Sequence, residues 1–127
     1  MFSHVMLGAN DISTAKRFYD AALGALGIEE GVIDEWGRLV YATERGRFGL
    51  TRPLDGRPAT GANGGTVGFL ARSAGEVDAW HSAGMANGGT AIEDPPGERH
   101  VAGERVSYLA YLRDPSGNKI CATYRVK

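Results

Sequence analysis

Residues 4–27 have the sequence HVMLGANDISTAKRFYDAALGALG, which predicts a strand, a capped helix and a glycine stop in succession. The apolar run over residues 2–7 is typical of a short strand, and the polar residues 10–13 offer caps for the helix that follows. From residue 12 onward, apolar side chains recur three and four positions apart, which is the stripe of an amphipathic helix. Gly27 then provides the left-handed turn that commonly ends a helix.

The same order of elements occurs a second time further along the chain. Moving residues 66–93 back by 62 positions places Thr66 on His4, so that the strand expected at residues 66–71 falls on the first strand. The S-x-x-E capping box at residues 73–76 then opens a second helix. Such a unit cannot bury its apolar sheet face alone. Two copies are therefore expected to pair and to leave a pocket between them.

Short strands are predicted after each helix, because apolar runs alternate there with glycine-rich or proline-rich turns. They cover residues 28–33, 39–43 and 48–51 in the first half, and residues 90–93, 107–112 and 119–124 in the second half. The turn Asp-Pro-Ser-Gly at residues 114–117 joins the last two strands as a hairpin. Two consecutive prolines cannot donate to a strand ladder, so residues 94–97 are expected to form a loop.

Length and composition predict one globular domain. A chain of 127 residues suits a single core, and residues 53–64, rich in glycine and proline, predict a linker between modules at about 1–52 and 65–127. The net charge of −1 creates no field that would attract a polyanion, so neither nucleic acid nor a membrane is expected as a partner. One cysteine cannot form an internal disulfide, and the N-terminus lacks the apolar run of a secretory signal. We therefore expect a soluble, cytoplasmic protein.

Three segments together carry a resemblance to a known superfamily. They are HVMLGANDISTAKRFYDAALGALG at residues 4–27, GGTVGFLARSAGEVDAWHSAG at residues 64–84 and YLAYLRDPSGNKI at residues 108–120. Over nearly its whole length the chain resembles the glyoxalase, bleomycin-resistance and extradiol-dioxygenase superfamily, also called vicinal oxygen chelate proteins. The resemblance implies an α+β fold of two βαβββ modules whose curled mixed sheets surround a cleft. It also implies a homodimer, because a second subunit commonly completes that cleft.

The resemblance further implies positions for a divalent metal, on the first and last strands of each module. In this sequence they are His4, Leu50 or Thr51, Thr66 and Cys121. Metal-dependent members usually have histidine where Thr66 stands and glutamate where Cys121 stands, so His4 is the single retained ligand. A hard divalent ion needs at least three histidine or carboxylate ligands, so no cofactor is predicted with certainty.

Seven residues are candidates for contact with a small-molecule ligand, namely Tyr41, Thr66, Arg99, His100, Tyr108, Tyr111 and Cys121. In relatives the loop that holds Arg99 and His100 borders the cleft, where these side chains could meet an anionic or oxygen-rich ligand. The tyrosines would supply aromatic walls, although tyrosine is equally ordinary in a core. Cys121 alternates with Lys119 and Thr123, which favours a position facing the cleft, and a buried core thiol is the alternative.

The resemblance leaves the reaction open. The chain is expected to be a small-molecule protein of undetermined reaction, with lyase or dioxygenase chemistry if it is an enzyme. A lyase of the glyoxalase kind would abstract a proton beside a carbonyl, but the missing glutamates would also remove the obvious base. The alternative is a metal-free protein that binds and sequesters a drug or metabolite. A third arrangement is a different metal site formed by His4, Cys121 and a carboxylate across the dimer.

Overall fold

Two four-stranded sheets, each carrying one helix, make up the computed structural model of the chain, which describes residues 1–127. The elements are β1 (His4–Gly8), α1 (Ile12–Gly24), β2 (Val32–Ile33), β3 (Leu39–Thr43), β4 (Gly46–Thr51), β5 (Val67–Leu70), α2 (Ala74–Ala86), β6 (Thr90–His100), β7 (Val106–Arg113) and β8 (Lys119–Arg125). The first sheet has the order β1-β4-β3-β2 and the second the order β5-β8-β7-β6. One pair in each is parallel, β1 with β4 and β5 with β8, and the others are antiparallel. The predicted α+β fold of two βαβββ modules with mixed sheets is confirmed.

The two helices occupy equivalent positions in the repeat, since α2 begins and ends 62 residues after α1. The Asp11 carboxylate caps α1 by accepting from the backbone N–H of Thr14 at 2.8 Å. The Ser73 hydroxyl caps α2 in the same way, accepting from the N–H of Glu76 at 3.1 Å. Each cap satisfies a backbone donor that has no partner inside its helix. Neither helix is long and apolar enough to cross a membrane.

The strand register defines a second set of equivalent positions. Val5 of β1 pairs with Phe48 of β4, and its equivalent Val67 of β5 pairs with Ile120 of β8. Phe48 and Ile120 are therefore equivalent in the two modules. The residues that directly follow them are Gly49 and Cys121.

One face of each sheet packs into a common core, and the other face points away from it. The core side chains of the first sheet include Leu39, Phe48 and Leu50, and those of the second sheet include Leu112, Ile120 and Ala122. The rings of Phe48 and Phe69, one from each module, meet with their centroids 5.0 Å apart. Because side chains alternate along a strand, the residues between these core positions lie on the opposite faces, which we call the outward faces.

The turn at residues 114–118 connects the two modules through buried hydrogen bonds. Asp114 accepts from the hydroxyl of Tyr19 on α1 at 2.6 Å. The side-chain amide of Asn118 donates to Asp114 and to the carbonyl of Gly8, the last residue of β1, both at 2.8 Å. Both turn side chains are almost fully buried. The predicted hairpin turn therefore also fixes the second sheet against the first module.

The strand predicted at residues 28–33 is shorter than expected. Only Val32 and Ile33 are in β2. The backbone N–H of Ile28 donates to the carbonyl of Leu23 at 3.1 Å, and that of Gly31 donates to the Asp20 carboxylate at 2.9 Å. The end of α1 thus uses the backbone donors that a longer strand would need. The other predicted strands, apart from 90–93, agree with the structure to within two residues at each end.

The loop predicted at residues 94–97 was wrong. Strand β6 continues from Thr90 to His100, and it is the edge strand of the second sheet. Its pairing with β7 is interrupted by a register shift between Ile92 and Gly97. Both prolines fall inside that interruption, so their missing N–H groups remove no ladder hydrogen bond.

Candidate functional site

A cleft of about 680 Å³ opens between the two modules, beside β1, β4 and β5. Its apolar lining includes Val5, Leu26, Phe48, Val67, Phe69 and Leu70. Apart from Tyr41, its ionisable lining consists of His4, Glu44, Arg45, Arg47 and Arg72. A concave surface with many apolar side chains and a small number of polar groups is the usual form of a small-molecule site.

The positions at which the resemblance would place a metal do not assemble a set of ligands. His4 lines the cleft, with its Nδ1 atom 2.7 Å from the hydroxyl oxygen of Ser3. Leu50 is fully buried in the core and Thr51 ends β4, so β4 offers at most a hydroxyl. Thr66 is exposed just before β5. No group of three histidine, cysteine, aspartate or glutamate side chains lies close enough to hold a metal ion.

The repeat shows why β4 supplies no ligand. The residue of β4 that is equivalent to Cys121 is Gly49, which has no side chain. Met6, its partner on β1, fills the space above it, because a Cβ at residue 49 would lie 2.6 Å from the Met6 sulfur. Glycine at this point therefore leaves room for the Met6 side chain to lie across the outward face, and a larger residue would displace its flexible end.

Cys121 lies on the outward face of β8 together with Lys119, where it is buried, and it does not line the cleft that this alternation was expected to make it face. Burial raises the pKa of its thiol to about 11, and the nearby Glu93 carboxylate acts in the same direction. The thiol is therefore protonated near neutral pH, whereas a metal ligand or nucleophile must be a thiolate. A protonated thiol, one imidazole and two hydroxyls do not fit a hard divalent ion.

Slow alkylation of Cys121 is the expected consequence of this raised pKa. We expect native protein at pH 8 to react with iodoacetamide at least about tenfold more slowly than a free cysteine, whose pKa is about 8.5. The rate is measured by mass spectrometry, and the urea-unfolded protein serves as the control that should react at the rate of free cysteine. A native rate close to the unfolded one would show an exposed or activated thiol.

Two of the tyrosines predicted to contact a ligand have hydroxyls that are already bound to carboxylates. The Tyr41 hydroxyl donates to Asp20 at 2.8 Å, and burial followed by this bond raises the Tyr41 pKa. Its ring lines the cleft, but its hydroxyl is held inside the first module. Tyr108 donates to Asp78 on α2 at 2.7 Å, which places it on the helix side of the second sheet. Tyr111 pairs with Cys121 across β7 and β8 and shares its outward face.

Arg99 and His100 lie on β6 instead of in a loop. The guanidinium of Arg99 donates to the carbonyls of Asp94 and Pro95, at 3.2 Å and 2.8 Å. Arg99 thus supports the interrupted part of its own strand, and neither residue lines the cleft between the modules.

Sequence reasoning missed an ion pair on the outward face of the second sheet. The Lys119 ammonium lies 2.5 Å from a carboxylate oxygen of Glu93 and 4.7 Å from the centre of the Tyr111 ring. Glu93 has a left-handed backbone, with a φ of 60°, at the start of the β6 interruption. The alternation of β8 placed Lys119 on the same face as Cys121. The position of Glu93, which pairs with Lys119, depends on the interruption in β6, which the sequence did not indicate.

Comparisons with known proteins agree in sequence and in structure. A sequence profile described as the Glyoxalase/Bleomycin resistance protein/Dioxygenase superfamily matches residues 1–122. A glyoxalase/bleomycin resistance protein from Albidiferax ferrireducens T118 is 56% identical, with a TM-score of 0.94 over 98% of this chain and 99% of that one. A lactoylglutathione lyase from Agrobacterium tumefaciens shares the fold at 22% identity, with a TM-score of 0.65 over 98% of this chain and 92% of that one. No protein of curated function matches the chain.

Proposed function

This chain belongs to the glyoxalase/bleomycin resistance protein/dioxygenase superfamily, and we propose that it binds a small molecule in the cleft between its modules without a divalent metal. The observation that carries the proposal is the combination of a roomy, largely apolar cleft with a donor set that does not fit a metal. An apolar ligand is held by burial, at roughly 25 cal/mol per Å² of surface removed from water, and needs no ion.

Lyase or dioxygenase chemistry is less well supported. At 22% identity, the likeness to the lactoylglutathione lyase from Agrobacterium tumefaciens extends to the fold alone. Proton abstraction beside a carbonyl requires a base within hydrogen-bond reach of the carbon acid. The equivalent positions on β4 and β8 hold Gly49 and a protonated Cys121, and neither can serve as that base.

Binding of N-phenyl-1-naphthylamine, a neutral fluorophore that brightens in apolar surroundings, tests the proposed function. We expect saturable binding to the wild type. Leu70, 60% exposed and part of the cleft lining, supplies the diagnostic variant, Leu70→Asp. A carboxylate placed against an apolar ligand should weaken binding by at least about tenfold.

The matched control is Leu54→Asp, which places the same charge on a fully exposed leucine of the segment between the modules. It should bind the fluorophore as the wild type does. Absence of saturable binding to the wild type, or equal loss of binding in both variants, would contradict the assignment of the ligand to this cleft.

We also infer a homodimer in which a second copy of the chain covers the apolar row on the outward face of the first sheet. The outward face of the first sheet presents the row Met6, Gly49, Val40 and Val32, and Met6 and Val32 are exposed. Strands β1 and β5 are the unpaired edges of their sheets beside the cleft. Exposed apolar faces and open edges in one chain favour association with another.

Sedimentation analysis of Met6→Glu tests the dimer. A charge in the apolar row should shift the wild-type dimer towards monomer, because the carboxylate would have to be desolvated at the interface. Met85→Glu is the control, since Met85 is similarly exposed but lies on α2. A monomeric wild type, or a Met6→Glu protein as dimeric as the control, would contradict the inferred interface.

A further inference from the structure

The ionisable side chains around the cleft carry an excess of positive charge. Three guanidiniums line it, those of Arg45, Arg47 and Arg72, against the single carboxylate of Glu44. The chain as a whole has a net charge of −1, so this excess belongs to the cleft and not to the protein. We propose that the cleft selects small molecules that join an apolar body to an anionic group, a carboxylate or a sulfonate. The proposal rests on the proposed function of the same cleft.

Arg45 and Arg47 are the groups available to bind the anion. The ion pairs of the chain join other residues and leave both of these guanidiniums without a carboxylate partner. Both are exposed at the side of the cleft, at the turn before β4 and in β4 itself. A guanidinium stays charged at any ordinary pH and presents a planar fork of donors that matches a carboxylate.

His4 extends this anion site across to β1. It is the register partner of Arg47 in the parallel pair of β1 and β4, so the two side chains project from neighbouring strands on the same outward face. Its Nδ1 atom is engaged with the hydroxyl of Ser3, which leaves Nε2 as the ring nitrogen for a ligand. His4 therefore lies next to Arg47, where its Nε2 atom would help to bind a ligand oxygen.

Arg72 adds a positioned cation at the opposite wall. Its guanidinium pairs with Glu76, with nitrogen–oxygen distances of 2.9 Å and 2.7 Å, so its charge is partly balanced. Gly27 makes room for it, because a Cβ at residue 27 would lie 2.9 Å from the terminal nitrogen of Arg72. We therefore expect Arg72 to contribute less to anion binding than the unpaired Arg45 and Arg47.

A matched pair of fluorophores separates the anionic group from the apolar body. N-phenyl-1-naphthylamine and 8-anilinonaphthalene-1-sulfonate share one ring system, and only the second carries a sulfonate. The wild type should bind the sulfonate about tenfold more tightly at low salt, and the advantage should shrink towards about 0.5 M NaCl, where charges are screened. One sulfonate per chain is expected, and Leu70→Asp should weaken the binding of both probes.

Variants of the ionisable residues should move sulfonate affinity in opposite directions. The double variant Arg45→Gln/Arg47→Gln should lose most of the tenfold advantage of the sulfonate over the neutral probe, and Arg72→Gln should lose less of it. Glu44→Gln, which removes the carboxylate of the cleft, should bind the sulfonate more tightly. The control Arg57→Gln/Arg105→Gln removes two exposed arginines away from the cleft and should behave as the wild type.

The outcomes separate a failure of the anion site from a failure of the proposed small-molecule cleft. Tight binding of the neutral probe with no preference for the sulfonate would overturn the anion site and leave the cleft as a site for neutral ligands. A sulfonate preference that survives in Arg45→Gln/Arg47→Gln would also overturn it. Failure of both probes to bind would overturn both proposals.

Discussion

Replacing Asp114 by alanine is expected to lower the free energy of unfolding by about 3–5 kcal/mol, a large share of the stability of an ordinary domain. The carboxylate accepts from the Tyr19 hydroxyl, from the Asn118 amide and from the backbone N–H groups of Ser116 and Asn118. A hydrogen bond to a charged group contributes about 1.5–3 kcal/mol, and a buried donor without a partner costs about 1–3 kcal/mol. Chemical denaturation followed by circular dichroism measures the loss.

Asp55→Ala is the matched control for this experiment. Asp55 also accepts from a backbone N–H two residues ahead, that of Arg57 at 2.9 Å, but it lies in an exposed turn. Its loss should change stability by no more than about 1 kcal/mol. If Asp114→Ala were no more destabilised than the control, the turn would not be the connection between the modules.

Gly89→Ala is expected to destabilise the protein by about 1–3 kcal/mol through overpacking. A Cβ at residue 89 would lie 2.5 Å from the ring of Phe18 and 2.8 Å from the carbonyl oxygen of Gly84. The Phe18 ring is fully buried, and the carbonyl belongs to the end of α2, so neither can move away cheaply. The midpoint of thermal or urea unfolding reports the effect.

Gly24→Ala is expected to raise the midpoint of unfolding in the same assay, opposite to the effect of Gly89→Ala. Gly24 is the last residue of α1, and a Cβ there would meet nothing within 4 Å. Alanine should therefore stabilise the helix by up to about 1 kcal/mol relative to glycine. Stabilisation by both substitutions would mean that α1 and α2 pack less closely around residue 89 than the structure indicates.

The helices and the repeat could be predicted because their signals are local. Asp11 and Ser73 cap their own helices within three residues, and the apolar stripe follows from the helical period. Alternation along β8 likewise indicated that Cys121 and Lys119 share a face of the strand, but it could not show that this face lies away from the cleft lining.

The features that escaped prediction depend on residues far apart in the chain. The bond between Tyr19 and Asp114 joins positions 95 residues apart, so the sequence indicated only the local turn. The prolines of β6 are tolerated because β6 is an edge strand with interrupted pairing, and strand order is not a local property. In the candidate site, alternation along β3 could not show that the Tyr41 hydroxyl donates a hydrogen bond to the Asp20 carboxylate.

The central claim is a small-molecule cleft that works without a metal, and a fluorescence titration with N-phenyl-1-naphthylamine tests it most directly. The wild type is titrated after exhaustive dialysis against EDTA, and again after nickel, zinc, manganese or iron(II) is supplied. Because the side chains of His4, Thr66 and Cys121, with none at Gly49, do not fit a divalent ion, we predict the same dissociation constant in every case. Loss of binding after chelation, restored by one of these metals, would contradict the account.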